Sequence, residues 1–477
     1  MTHAASTSLG AGLKPYPEYK DSGLPWLGWV PGNWDVLPHR ALFEEVKVRE
    51  HPNEQMLSVT ITRGVIKQRD LLAGSSKKDS SKLDKSAYKL VCPGDIAYNK
   101  MRAWQGAIGV SDLRGIISPA YVVQRMRGAQ NPRYFHHLFR TPGFAKEAES
   151  WSYGITSDMW SLRPEHFKAI YSPLPPAEEQ AAIVRFLDHA LLRLDKAIRA
   201  KRKTIALLNE QKQAIIHRAV TRGLNPDVQF KDSGIPWLGQ IPAHWETLPL
   251  KFLCRRIQNG ATPSTSEQHY YENGTVPWFG PSSIGIASEL GAPVRYLTRL
   301  AFTEGKARLI NGPAILVIVI GATAGKMGLL VGEGATNQQI TAFELKEDNI
   351  TPQFVIQQLR CSERWLKSTA STATIPILDS GIVNRLPVAF PPISEQEVIL
   401  SAIAIQTKPI ASTIDRVERE IDLLREYRTS LIADVVTGKL DVREAAARLP
   451  DAEAAPVDEL ENAELDESVD DLAEEDA

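Results

Sequence analysis

The sequence predicts an α+β chain of two similarly built halves, each a mixed α/β globule followed by a long helix. Two repeats predict it. KDSGLPWLGWVPGNW, Lys20 to Trp34, returns 211 residues later as KDSGIPWLGQIPAHW, Lys231 to Trp245, with ten of fifteen positions identical. A long apolar-seamed segment returns as well, 216 positions on. Repeats at a fixed offset divide a chain into units of like build before any single element is assigned.

The first long segment, Glu178 to Arg222, has no proline or glycine and lies between Pro175-Pro176 and Gly223 with Pro226. Those are start and stop signals for a helix. Leu194, Ile198, Ile205, Leu208, Ile215 and Ala219 follow a heptad seam that Lys201 and Lys212 interrupt. At 1.5 Å per residue such a helix is ~68 Å long, a strut or half of a coiled coil. The second copy keeps the four-three spacing through Ile410, Ile414, Val417, Ile421, Leu424, Arg428, Leu431 and Val435. Its start, Pro391-Pro392-Ile393-Ser394-Glu395-Gln396, mirrors Pro175-Pro176-Ala177-Glu178-Glu179-Gln180, and Ser394 with Glu397 reads as a capping box. One narrow apolar seam cannot bury itself. Two in one chain can bury each other.

Composition bounds the rest. At 477 residues, 43% hydrophobic and 23% charged, the chain reads as a soluble globular protein with room for two or three domains. Its longest apolar run, Ala314 to Ile320, is too short to span a membrane. The N-terminus shows no secretory signal pattern. Cys92, Cys254 and Cys361 lie far apart, which suggests a reducing cytoplasm and argues against a structural zinc site. The net charge of −2 hides an asymmetry, because the stretch from Asp451 onward carries 13 acidic residues and no basic one. Residues 1–450 then hold 55 basic against 44 acidic residues, a net +11. A basic body suits a polyanionic partner, and it equally suits an ordinary domain with a disordered solubilising tail.

Within the halves, β-branched runs alternate with glycine turns at Leu57–Ile61, Asp95–Tyr98, Tyr121–Val123, Val276–Phe279, Ile315–Ile320 and Ile340–Phe343. Short helices are expected at Pro132–Phe139 and Pro352–Leu359. Pro93 to Gly109 aligns with Gly312 to Gly328 at an offset of 219, so that Gly106 matches Gly325 and Gly109 matches Gly328. The frame repeats closely and the globules diverge. The tryptophans of the repeated opener are expected to anchor it by packing.

Catalytic motifs do not survive inspection. Gly321 to Lys326, GATAGK, is one residue short of a phosphate-binding loop, and Met327 replaces the hydroxyl that would hold magnesium. The paired prolines lack the flanking Asn or Asp and the aromatic of an amino-methyltransferase motif. Binding chemistry remains. After a predicted strand come Lys100, Arg102, Trp104 and Gln105, with Tyr121 on a later strand. Lys or Arg can bond to guanine, and Gln or Asn can pair with adenine. The second half offers Lys326, Asn337, Gln338 and Gln339, with Thr262, Ser264 and Trp278 on two further glycine-bearing loops. Lys77, Lys78 and Lys82, followed by Lys85, suit phosphate contacts or a plain solvated loop.

Taken together, this layout resembles the specificity subunits of type I restriction-modification systems. The resemblance runs from Lys20 to about Arg443 and rests on several motifs. These are the paired KDSG(L/I)PWLG openers, the Pro-Pro helix starts, NKMRAWQGAIG with SPAY, IQNGATPS with YYENGTVPWFG, and the exit Thr437-Gly438-Lys439-Leu440-Asp441. It implies two target recognition domains, each reading one half of a bipartite, asymmetric double-stranded DNA site. It also implies that the two helices pair as an antiparallel coiled coil and dock two modification (methyltransferase) subunits. The expected divisions are 1–19 flexible, 20–172 first recognition domain, 173–225 central helix, 226–388 second recognition domain, 389–445 distal helix and 446–477 acidic tail. The chain itself would be non-catalytic and bind no cofactor or metal. S-adenosylmethionine, ATP and magnesium would belong to the modification and restriction subunits, in a bacterial or archaeal cytoplasm without membrane contact. The alternative is a coiled-coil adaptor without DNA readout, whose binding would show no salt-dependent DNA component.

Overall fold

The structure, a computed structural model, describes residues 13–72, 84–154, 160–285, 289–346, 350–370 and 376–450. The chain forms two compact units, Met1–Arg202 with Glu418–Ala477, and Lys203–Val417. The first contains β1 (Phe43–Val46), β2 (Ile96–Asn99), β3 (Ile108–Val110), β4 (Tyr121–Met126), α1 (Pro132–Phe139) and the start of α2 (Ala177–Arg222). The second contains β5 (Cys254–Asn259), β6 (Val276–Phe279), β7 (Arg295–Leu297), β8 (Ile310–Asn311), β9 (Ala314–Ile318), β10 (Met327–Leu330), β11 (Glu333–Thr336), β12 (Ile340–Leu345), α3 (Pro352–Arg360) and the start of α4 (Ile393–Val436). Each unit also holds the far end of the other long helix, because the division falls inside α2 and inside α4.

In the first unit a four-stranded antiparallel sheet has the order β1-β4-β2-β3. The second unit repeats it as β5-β12-β9-β10. The registers agree with the offset of 219 read from the sequence. Ile96 faces Val110 and Tyr98 faces Ile108, while Ile315 faces Leu329 and Val317 faces Met327. Gly106 and Gly325 close the two hairpins with φ of +100° and +94°, a conformation that favours glycine in both. The second unit adds a sheet of its own, β7-β6-β11-β8, in which β6 and β11 run parallel. The first has instead two small hairpin-like pairs, 57–60 with 64–67 and 89–91 with 115–117.

The frame is fixed by the same residues in each unit. Trp34 and Trp245 are fully buried, so the opener tryptophans do anchor by packing. Burying one such ring is worth about 4–6 kcal/mol as an upper bound. Each indole Nε1 donates to a glutamate in the first turn of a long helix, Trp34 to Glu179 at 2.8 Å and Trp245 to Glu395 at 3.2 Å. The next residue ties that helix to the cap of the short one. Gln180 Oε1 accepts from the Asn131 amide ahead of α1, and Gln396 Oε1 from the Thr351 amide ahead of α3. The short helix then reaches the end of the other long helix. Tyr134 Oη donates to the Val436 carbonyl and Gln358 Nε2 to the Val220 carbonyl. Gly223 and Gly438, at φ +70° and +79°, terminate α2 and α4 as helix-ending glycines do.

The long helices run antiparallel in each unit. In the first, Arg428 pairs with Asp195 at 3.1 Å and Lys201 with Glu420, while Leu194, Leu431 and Val435 share one core with Leu424 beside it. Ile198 and Ile421 are buried too. In the second, Ile216, Ala219 and Val220 pack with Ile399 and Ile403, and Ile410 and Val417 are buried. Ile205, Leu208, Ile215 and Ile414 are only half-buried. The seam in this stretch of α2 is turned by one residue, to Ile216, because the Trp245 core pulls Ala219 and Val220 inward together. The expected Ser394–Glu397 capping box does not form. α4 begins at Ile393, so Ser394 already sits inside the first turn, and the amides of Glu395 and Gln396 bond to the Pro392 carbonyl. α4 also continues through Pro409, which removes one intrahelical donor.

Candidate nucleic-acid interface

Strand direction brings the polar candidates to one end of each sheet. In the first unit, Tyr121 opens β4 opposite Asn99, the last residue of β2. Lys100, Arg102, Trp104 and Gln105 follow in the β2–β3 connection, where Ala103–Gln105 forms a 3-10 turn. Arg102 and Gln105 are exposed, Lys100 and Tyr121 half-buried. Trp104 is held, its Nε1 donating to the Met101 carbonyl at 2.9 Å and its ring meeting Trp160 at 5.4 Å. The turn therefore presents Arg102 and Gln105 on a rigid base. Lys77, Lys78 and Lys82 lie outside the described residues.

The sequence reading missed a cationic group at this same end. Val46 ends β1 opposite Val123, so Lys47 and Arg49 leave the sheet there. Lys89 is buried and donates to the Tyr121 carbonyl. Burial holds its ammonium below the usual lysine range, with Lys100, Lys47 and Arg49 adding repulsion and Glu45 opposing it. Four cations thus gather beside Tyr121. Lys89 had no signal of its own, since an isolated lysine in an apolar run discloses nothing about its neighbours.

In the second unit the equivalent end is formed by Asn259, which closes β5 opposite Thr341, by Ile340 opening β12, and by the β9–β10 connection. Gly260 turns the chain tightly against Thr336 and Asn337, where a Cβ would lie 2.2 Å from the Asn337 carbonyl oxygen. Only glycine fits. Thr262 Oγ1 then donates to Gln338 Oε1 at 2.8 Å, and Ser264 shares a hydrogen bond with Ser266. Asn337 is spent on its own turn, accepting from the Gln339 amide and donating to Gln339 Oε1. Gln338 is exposed. Lys326 is half-buried beside Glu363, whose carboxyl is raised chiefly by burial. Trp278 is buried and offers no open face to a base. Its ring lies instead under Arg295, a residue the motif reading passed over.

Among the described residues no group of three or more His, Cys, Asp or Glu side chains could hold a metal ion. Nor is any described helix long and apolar enough to cross a membrane.

Comparison with known proteins locates this architecture. Residues 242–424 match the type I restriction modification DNA specificity domain. A putative type I restriction enzyme specificity subunit, MjaX of Methanocaldococcus jannaschii, is 21% identical over 444 residues, covering 87% of this chain and 96% of the relative. The MjaVIII specificity subunit of the same organism is 26% identical over 288 residues, covering 58% of this chain and 64% of the relative. A solved chain from work on the assembly and conformational transition of the type I system aligns with a TM-score of 0.59. It has 16% identity and covers 86% of this chain and 99% of that one, a likeness of fold.

Proposed function

We propose, from the premise that the chain belongs to the specificity subunits of type I restriction-modification systems, that each globule reads one half of a bipartite, asymmetric DNA site. The carrying observation is the equivalent sheet end of the two units. A repeated frame holds it in the same topology, and different polar side chains fill it in each. In the first unit Arg102 and Gln105 are the base readers, with Lys47, Arg49 and Lys100 as phosphate partners and the buried Lys89 holding the Tyr121 carbonyl behind them. In the second, Thr262, Ser264, Gln338 and Lys326 occupy the corresponding surface. A coiled-coil adaptor without DNA readout is not favoured, since the matched family is a DNA specificity domain.

The chain acts as a non-catalytic address reader. Two modification subunits dock on the long helices, which expose apolar side chains away from their seams, among them Val398, Ile405 and Leu423. Methyl transfer to adenine N6 and ATP-driven cleavage belong to the modification and restriction subunits, with S-adenosylmethionine, ATP and magnesium bound there. The test is binding of the full chain, with its modification subunits, to a randomised duplex library over a salt series. Enrichment of two short sequences at a fixed spacing is expected, with affinity falling steeply as salt rises. Selection of one contiguous motif, or salt-independent binding, would overturn the reading.

A further inference from the structure

The second unit contains an arginine held in place by aromatic faces and, among the described residues, left without an anionic partner. Arg295 opens β7, the outer strand of the added sheet, and Trp278 stands directly across from it on β6. Its guanidinium carbon lies 5.2 Å from the Tyr271 ring centre and 5.4 Å from that of Trp278. Both rings are themselves fixed to the loop that leaves β5. Tyr271 Oη donates to the Pro263 carbonyl at 2.5 Å, and Trp278 Nε1 donates to the Ala261 carbonyl at 3.4 Å. Thr262, between those two carbonyls, bonds to Gln338. Arg295 is therefore coupled through two rings to the loop that carries the unit's other polar candidates.

The charge of this residue is held differently from that of other arginines in the unit. Two other arginines of this unit are paired. Arg299 pairs with Glu333, and Arg255 donates to Glu344 and to the carbonyls of Asn311 and Gly312. Among the described residues no carboxylate lies within salt-bridge distance of Arg295 and no acceptor takes its N–H groups. It is nevertheless partly buried. Ring faces stabilise the cation by its flat surface and leave the donor edge open. A group that only neutralised phosphate would need charge and reach, which a loose lysine supplies. A planar fork fixed in orientation suits an acceptor pair of fixed geometry, and in duplex DNA the major-groove edge of guanine, O6 with N7, is that pair.

We propose that Arg295 is a specificity-determining residue of the second globule, reading a guanine in its half-site through a bidentate pair, with Tyr271 and Trp278 as positioning residues. This rests on the DNA-reading function above. The experiment uses the full chain with its modification subunits, comparing wild type, Arg295→Ala and Arg295→Lys on the randomised duplex library. Both variants should lose discrimination at one G·C pair of one half-site, by about 5- to 150-fold, and keep the other half-site unchanged. Arg295→Lys keeps the charge and the packing stem, so a fold defect in Arg295→Ala cannot account for a shared loss. If both variants weaken every sequence alike, the contact is to phosphate and the proposal fails; if Arg295→Lys keeps the full wild-type preference, the planar fork is not what reads the base and the bidentate reading fails. It fails also if both variants match wild type. If wild type itself selects no bipartite sequence, the function above fails independently of Arg295.

Discussion

The two units solve one structural problem with the same residues and a recognition problem with different ones. Glu179 and Glu395 each take the indole proton of a buried opener tryptophan, and Gln180 and Gln396 each accept the cap amide of the short helix. At the sheet end the likeness stops. The first unit gathers Lys47, Arg49, Lys89 and Lys100 around Tyr121, and the second builds an extra sheet whose aromatic rings carry Arg295. Interactions that hold the globule to the helices are repeated because each ties together segments far apart in sequence, where a substitution leaves a buried partner unsatisfied. Most polar side chains at the sheet end are exposed or half-buried, so they can change without leaving a buried partner unsatisfied.

The units should differ most when their matched glutamates are removed. Glu179 is buried and accepts from Trp34, Asn33 and Tyr16, whereas Glu395 is one-third exposed (32%) and serves Trp245 and the exposed His244. Glu179→Ala should cost about 4 kcal/mol, because it strands two buried donors, Trp34 and Tyr16, and Glu395→Ala about 1–2 kcal/mol. Denaturant unfolding of the two variants checks this, and equal losses would break the comparison.

Acid should act on the first unit before the second. His39 is wholly buried among Phe43, Phe139, Phe144 and Phe167, and burial holds its pKa down to about 3. The unfolded chain titrates near 6.5, so between those values the unfolded state binds more protons. Stability is then full above about pH 6.5 and is lost as pH falls toward 3. From pH 7 to 5 the loss through His39 should be about 2 kcal/mol. His136 and His137, also held low by burial, act in the same sense. The second unit has Leu250, Ile356 and Gln357 at the matching places. His39→Leu strands the buried Ser172 hydroxyl, yet should remove this share of the loss between pH 7 and 5, seen as a flatter pH dependence of hydrogen-exchange protection in the first unit.

The sheet ends divide into base and phosphate contacts by a smaller margin. Arg102→Ala or Gln105→Ala should cost about 1–3 kcal/mol against the cognate first half-site only, measured by competition between matched and mismatched duplexes. Lys47→Ala should weaken all sequences alike and lower the salt slope by about one. A sequence-specific effect from Lys47, or a uniform one from Arg102, would exchange their roles.

Much of this was legible in the chain because it is written twice. The offset of 219 between Pro93–Gly109 and Gly312–Gly328 is an alignment of letters, yet it gives the strand registers of both hairpins. α2 was placed to within one residue by its bracketing prolines and glycine, and α1 to the residue. What escaped depends on neighbours that sequence distance conceals. The one-residue turn of the seam to Ile216 follows from the Trp245 core, and α4 runs on through Pro409 with Ile403 and Ile410 buried on either side of it. The failed Ser394 cap is of the same kind, since Pro392 already occupies the position ahead of the first turn. At the sheet ends, Arg102 and Gln105 stood out as a polar run after a strand. Arg295 did not, because its platform is assembled from Tyr271 and Trp278 on two other segments.

The central claim is that one globule addresses one half-site. Exchanging residues 35 to 172, the region between the first opener and the start of α2, for that of another specificity subunit leaves Glu179, Gln180 and the whole second unit in place. Methylome sequencing of cells carrying the hybrid with its modification subunits then reads both half-sites at once. The account predicts a new first half-site joined to the original second one. Change in both half-sites, or in neither, would contradict it.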